Sequence, residues 1–303
     1  MKHSPSFLQK FKDLPIRVLV LGATGLLGCA VFHVLSEKID WLVFGTLRTE
    51  ESNRFFAPRL YRNLVVGVDV LDQVDLIKLF EQTKPDVVIN CVSLAKPLLS
   101  EGSPLDIIPI YALLPHRLAQ LCSLAGARLV HISTDGVFSG SKGQYKEDDI
   151  PDARDLYGLS KLLGEVIVPH AIMLRTSMLG PELQGANGLL AWFLSQQKTC
   201  KCFSKAIFSG LPTVVLAKII RDYVIPKPEL FGVYHVAAQP ISKFDLLKLV
   251  AEIYGKTIKL IPVDQPVCDR SLNPARFSAA TGYVAPEWPE LIRIMCNYKL
   301  VNG

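Results

Sequence analysis

Ile16-Arg17-Val18-Leu19-Val20-Leu21-Gly22-Ala23-Thr24-Gly25-Leu26-Leu27-Gly28 is the stretch whose reading decides the fold. Its first six residues form an apolar, β-branched run, the pattern of a strand buried on both faces. Three glycines follow at once, and an apolar helical pattern then continues to about Lys38. Glycines here permit a tight turn, let the backbone approach a pyrophosphate, and let helix pack on strand. The helix start adds free N–H groups and partial positive charge. The spacing is G-x-x-G-x-x-G rather than G-x-G-x-x-G, but strand, glycine turn and helix in this order predict a dinucleotide cradle on Gly22, Gly25 and Gly28.

Outward from that turn, strands and helices alternate. Trp41 to Thr46 reads as the second strand and ends in Leu47-Arg48. An acid at this place would bind a ribose 2′-hydroxyl, whereas an arginine suits a 2′-phosphate. With Arg48 and no acid, NADP(H) is preferred and NAD(H) remains possible. Leu64 to Val68 is a third strand closing at Asp69-Val70, and Asp72 caps a helix running to Gln82. Asp86 to Cys91 is the fourth strand. The small side chains of Val92-Ser93-Leu94-Ala95-Lys96 leave room for a ribose and a nicotinamide. Pro109 to Leu124 reads as a helix with Pro115 inside it and His116 and Arg117 on its surface. Ala127 to Ile132 and Ala171 to Thr176 are the fifth and sixth strands. The pattern predicts an α/β fold: a Rossmann-type, doubly wound parallel sheet with right-handed crossovers and ligands at the carboxyl ends of its strands.

At the end of the fifth strand, Ser133-Thr134-Asp135-Gly136 opens a polar loop, and helical spacing resumes at Asp155-Leu156-Tyr157-Gly158-Leu159-Ser160-Lys161. Tyr157 and Lys161 are four apart and so share a helix face. Reduction of a carbonyl by a nicotinamide leaves an alkoxide that needs a proton. Tyrosine is a poor acid unless its anion is stabilised, and a lysine ammonium beside it lowers the phenol pKa. Tyr157 is therefore expected as proton donor, with Lys161 tuning it and holding the cofactor. Thr134 is expected to polarise the carbonyl.

The bulk properties exclude several classes. The 303 residues, 50% hydrophobic and 20% charged, suit a globular chain with a large core. No apolar run reaches the roughly 18–20 residues of a membrane span. The formal charge of +5 lacks a dense basic cluster, which favours an anionic small ligand over nucleic acid. Seven scattered cysteines fit no zinc spacing, so no metal is expected, and they imply a reducing, cytoplasmic setting. Residues 1–15 read as a tail, 16–176 as the NAD(P)-binding Rossmann domain and 177–303 as a smaller substrate-binding lobe. A strand near 232–238 is placed to rejoin the main sheet. His235 reads as core, and Arg270 and Arg276 are candidates to grip a diphosphate.

GATGLLG, HISTDGVFSG, the acidic EDDIP loop, YGLSK and LRTS, in this order, resemble the extended short-chain dehydrogenase/reductases, and within them the dTDP-4-dehydrorhamnose reductase (RmlD-like) family. The resemblance covers about residues 16 to 290. It implies NAD(P)-dependent reduction of a 4-keto group on a nucleotide-linked deoxysugar, in deoxysugar and polysaccharide precursor biosynthesis, by an enzyme that is often a homodimer. It carries the catalytic roles onto Thr134, Tyr157 and Lys161. Cofactor contacts go onto Gly22, Thr24, Gly25, Leu26, Leu27, Gly28, Asp69, Val70, Cys91, Val92 and Ser93, beside Arg48, Tyr157 and Lys161. Three positions depart from the family pattern: Gly136 where it commonly has Tyr, Tyr111 where the superfamily usually shows Asn, and Met178 where it tends to have Trp. Related dehydratases place an acid/base Glu at position 136, so glycine disfavours dehydration. An NAD-dependent sugar-nucleotide epimerase and a non-catalytic NADP-binding regulatory subunit stand as alternatives.

Overall fold

The computed structural model describes residues 14–94, 103–185 and 188–299. Most of the expected tail, together with Ala95 and Lys96, lies outside the described residues. Seven strands form one sheet: β1 (Ile16–Leu21), β2 (Trp41–Leu47), β3 (Leu64–Val66), β4 (Val87–Asn90), β5 (Arg128–Thr134), β6 (Ala171–Thr176) and β7 (Gly232–His235). Their order is β7-β6-β5-β4-β1-β2-β3, and every neighbouring pair is parallel. The chain reverses direction across the sheet beside β1 and β4, the place where such sheets bind ligands.

Alternation along each strand builds two cores. Val18 and Val20 of β1 face one layer with Ile89, Val130, Ile132 and Ile172, while Leu19 and Leu21 face the other with Val88, Leu129 and Met173. Each fully buried large side chain contributes about 1.5–3 kcal/mol. On the first face lies α1 (Leu26–Ser36). On the second lie α2 (Gln73–Thr83) and α3 (Pro104–Ala125). The helix ends follow their sequence signals. Asp72 accepts from the N–H groups of Val74 and Asp75, and Gly126 ends α3 in the left-handed conformation. Between them, α3 starts five residues earlier than its periodicity suggested, because Ser103 and Asp106 form a capping box. It then passes Pro109 by widening into a π turn at Pro109–Leu113. Among the described residues α3 is long and apolar enough to cross a membrane, but half of it is buried inside the protein. Its Leu114, Leu118, Leu121 and Cys122 belong to the core. Its apolarity is that of a core helix.

After β5 comes α4 (Leu156–Leu163), capped by Asp155 accepting from the Gly158 N–H. Beyond β6 the chain forms α5 (Leu189–Ser195), α6 (Thr213–Ile219, continued as a π turn Ile220–Val224), α7 (Lys243–Ile253), α8 (Ala275–Thr281) and α9 (Trp288–Asn297). Short strand pairs link these, such as Thr199–Phe203 with Lys259–Val263. The segment after 177 also returns to the sheet: α6 packs on α1, and β7 takes the edge beside β6.

Candidate active site

The glycine turn is built by exclusion. Gly22 has φ +78°, and a Cβ there would meet Cys91 O and the Val92 Cα at 3.2 Å. A Cβ on Gly28 would overlap the Gly22 carbonyl, so α1 starts in direct contact with the turn. The Gly25 N–H donates to Gly22 O at 3.0 Å, and the Gly22 N–H to Thr46 Oγ1 at 3.0 Å. Gly25 is also the N-cap of α1, with no side chain on its first N–H groups and no acid in the first turn. These residues fit a dinucleotide pyrophosphate. Arg48, at the end of β2, is exposed and has no hydrogen-bond or ion-pair partner among the described residues. Asp69 is likewise exposed, its carboxylate accepting from the Leu71 N–H. At the end of β4, the Asn90 carboxamide accepts from the Val92 N–H and lies 3.1 Å from His131 Nδ1, fixing the chain that faces the turn.

Thr134 ends β5 and Tyr157 opens α4. The Thr134 hydroxyl lies next to the Tyr157 phenol, and a Cβ at Gly136 would meet Thr134 Oγ1 and Tyr157 Cε1 both at 3.2 Å. Glycine here leaves open the space between the two hydroxyl-bearing side chains. Two sets of contacts bear on the expected roles. First, the Lys161 Nζ donates to Ile132 O at 2.6 Å. Burial pushes Tyr157 up to about 12, eased by Thr134 and reinforced by Tyr111, Asp135 and Asp155. Burial also pulls Lys161 down to about 8, against the opposing charges of Glu165 and Cys91. Second, the Thr134 hydroxyl is engaged: it accepts from the Gly136 N–H at 3.0 Å and donates to Asp135 Oδ1 at 3.3 Å.

Sequence reasoning passed over Asp135. Burial raises its pKa to about 6, opposed by Arg270, Thr134, Lys243 and Ser177. The residue type gave no sign of this, since the groups around it come from segments far apart in sequence. Arg270 faces this carboxyl, and its Nε is buried without a hydrogen-bond partner. Arg276 instead ion-pairs Glu147 and Asp148 of the acidic loop, so it is committed to structure. His235 is core, as expected, but within a charged network. Glu165 takes a bidentate pair from Arg175 (2.8 and 2.7 Å) and a hydrogen bond from Ser133 Oγ (2.6 Å), and Arg175 Nη1 lies 3.3 Å from His235 Nε2. Among the described residues no three His, Cys, Asp or Glu side chains gather as metal ligands.

Tyr111, in the middle of the π turn of α3, is 2% exposed. Its hydroxyl lies 2.9 Å from Ser93 Oγ and accepts from the Leu94 N–H at 2.8 Å. Its ring meets Tyr157 edge-on at 5.3 Å, with the Lys161 Nζ 5.3 Å from its centroid.

A parallel sheet in this order, a glycine cradle on β1 and a Thr/Tyr/Lys set at the end of β5 define an extended short-chain dehydrogenase/reductase fold. Residues 16–280 match the model of the RmlD substrate binding domain, and the chain belongs to that family. It is 31% identical over 274 residues to the methionine adenosyltransferase 2 subunit beta of Bos taurus, covering 83% of this chain and 76% of the relative. It is 29% identical over 254 residues to a probable low-salt glycan biosynthesis reductase, Agl14, of Haloferax volcanii, covering 80% and 81%. Among solved structures, dTDP-4-dehydrorhamnose reductase from Bacillus anthracis in complex with NADP shares the fold at a TM-score of 0.74 and 20% identity, over 93% of this chain and 99% of that one.

Proposed function

We propose that the protein is an NADP(H)-dependent reductase of a 4-keto-deoxysugar carried on a nucleoside diphosphate. The observation that carries this reading is the convergence of the Thr134 hydroxyl and the Tyr157 phenol around the space left by Gly136. Bound NADPH supplies the hydride. Gly22 through Gly28 hold its pyrophosphate, Arg48 meets the 2′-phosphate, and the Cys91–Ser93 segment borders the nicotinamide half. Thr134 orients the keto oxygen, and Tyr157 protonates it as charge develops. For that, the phenol must come down from about 12, which requires a positive charge at its side. Lys161, one helical turn along the same face, is the cation placed to supply it. Arg270, with its unpartnered Nε, is the donor available to the substrate's diphosphate.

A second reading, a cofactor-binding regulatory subunit, is favoured by the likeness to an adenosyltransferase beta subunit and by Tyr111 standing at the usual Asn position. The test is oxidation of NADPH, with NADH alongside, on dTDP-, UDP- and GDP-linked 4-keto-6-deoxysugars. Turnover is expected, falling about 10²–10⁴-fold in Tyr157→Phe with NADPH binding retained. Binding without turnover on any sugar supports the regulatory reading. Bound NAD that is never released points to an epimerase. Absence of any nicotinamide nucleotide binding refutes all three.

A further inference from the structure

We infer that Tyr111 is a positioning residue that sets the nicotinamide end of the cofactor site. The inference rests on the nicotinamide-nucleotide binding proposed above. Packing alone does not account for how Tyr111 is held. An ordinary helical turn would follow a different path, but at Pro109–Leu113 the helix widens by one residue, and Tyr111 sits at the centre of that widening. π turns of this kind concentrate at functional sites because they re-aim a side chain that a regular helix would direct elsewhere. The backbone there is fixed from outside as well: a Cβ on Gly164 would overlap the Tyr111 carbonyl, so the end of α4 is pressed against it.

From this fixed point the side chain ties together three parts of the site. Its hydroxyl accepts the Leu94 N–H and pairs with Ser93 Oγ, fastening the chain that leaves β4 beside the glycine turn. Its ring supports Tyr157 edge-on and lies beneath the Lys161 ammonium. An asparagine at this place has neither the length of the phenol nor a ring face. The substitution therefore changes the way the site is held together and does not merely delete a contact. Its effect falls on the half of a dinucleotide that lies near β4 and α4, since the hydrogen bonds and ring contacts of Tyr111 go to Ser93, Leu94, Tyr157 and Lys161.

The discriminating experiment uses Tyr111→Phe, which keeps the ring and removes only the hydroxyl, with Tyr111→Asn as a second variant. NADPH and 2′,5′-ADP, a fragment that lacks the nicotinamide, are each titrated into the full-length protein by calorimetry. For Tyr111→Phe the NADPH Kd is expected to rise about tenfold, the worth of one to two hydrogen bonds, while the 2′,5′-ADP Kd stays within about twofold of wild type. Tyr111→Asn is expected to show a larger change of the same kind. Equal weakening of both ligands would mean a general structural role and overturn the inference, as would NADPH binding left unchanged. A wild-type protein that binds neither ligand sinks the proposed function first; one that binds NADPH with Tyr111→Phe indistinguishable from it sinks only this inference.

Discussion

Replacing Glu165 by Gln tests the buried ion pair of the core. Glu165 and Arg175 are each 5% exposed, and the carboxylate takes two guanidinium hydrogen bonds and the Ser133 hydroxyl. Gln removes the negative charge while keeping the size. Only one of its two terminal atoms can accept, and both carboxylate oxygens take an arginine N–H, so the NH₂ group faces an arginine donor in either orientation. Arg175 is then left buried with a neutral imidazole at 3.3 Å and the Phe138 ring as company. Breaking a buried pair from one side costs about 3–5 kcal/mol. At roughly 2–4 °C per kcal/mol for a domain of this order, the melting temperature should fall by roughly 6–20 °C.

Two-sided replacement separates this cost from simple loss of packing. Glu165→Leu combined with Arg175→Met removes both charges, and apolar replacement of a buried pair is often close to neutral. In a cycle followed by urea denaturation, the double variant should be more stable than either single one, with a coupling energy of about 2 kcal/mol or more. Glu165→Gln has a second effect. Glu165 is the foremost charge holding the Lys161 pKa up, so the variant should move Lys161 further below about 8. The reasoning fails if Glu165→Gln lies within about 1 kcal/mol of wild type, or if the single costs simply add.

Two further predictions rest on other parts of the molecule. Gly28→Ala places a Cβ against the Gly22 carbonyl oxygen, which is backbone and has no rotamer to escape into. The expected cost is about 1–3 kcal/mol of stability with a disproportionate loss of dinucleotide affinity, read by thermal unfolding with and without NADPH. The buried imidazole of His235 has its pKa lowered to about 3 by burial and by Arg175, against about 6.5 when unfolded. The unfolded chain therefore binds the extra proton first, so this residue's contribution is complete above pH 6.5 and is lost as the pH falls from about 6.5 toward 3. The slope is at most about 1.4 kcal/mol per pH unit. Asp135 acts oppositely, since its raised pKa favours the fold at low pH and that benefit is lost as the pH rises from 3.8 through about 6. Urea unfolding should thus show the change in stability from pH 5 to pH 7 shifted toward loss in His235→Gln relative to wild type, since the opposing Asp135 contribution remains, and an unchanged pH dependence would refute the assignment.

The parts of this site that sequence made legible are those where one residue's own geometry dictates its neighbours. A glycine at 22 or 28 announces a turn and a close approach whatever surrounds it, and Tyr157 and Lys161 share a face because helices repeat every 3.6 residues. Asp72 could be read as a cap for the same reason, acting on N–H groups two and three residues away. What escaped depends on long-range packing. The raised Asp135 pKa comes from burial by long-range packing, against the opposing charges of Arg270 and Lys243 more than a hundred residues downstream, and the Glu165–Arg175–His235 network joins the segment after α4 to β6 and β7. The direction taken by Lys161 is the clearest case. Periodicity put its ammonium on the same face as the Tyr157 phenol, and the Ile132 carbonyl of β5 accepts from it at 2.6 Å. Sequence spacing locates a charge to within a side chain's length. Which acceptor inside that length takes the ammonium is decided by the surrounding backbone.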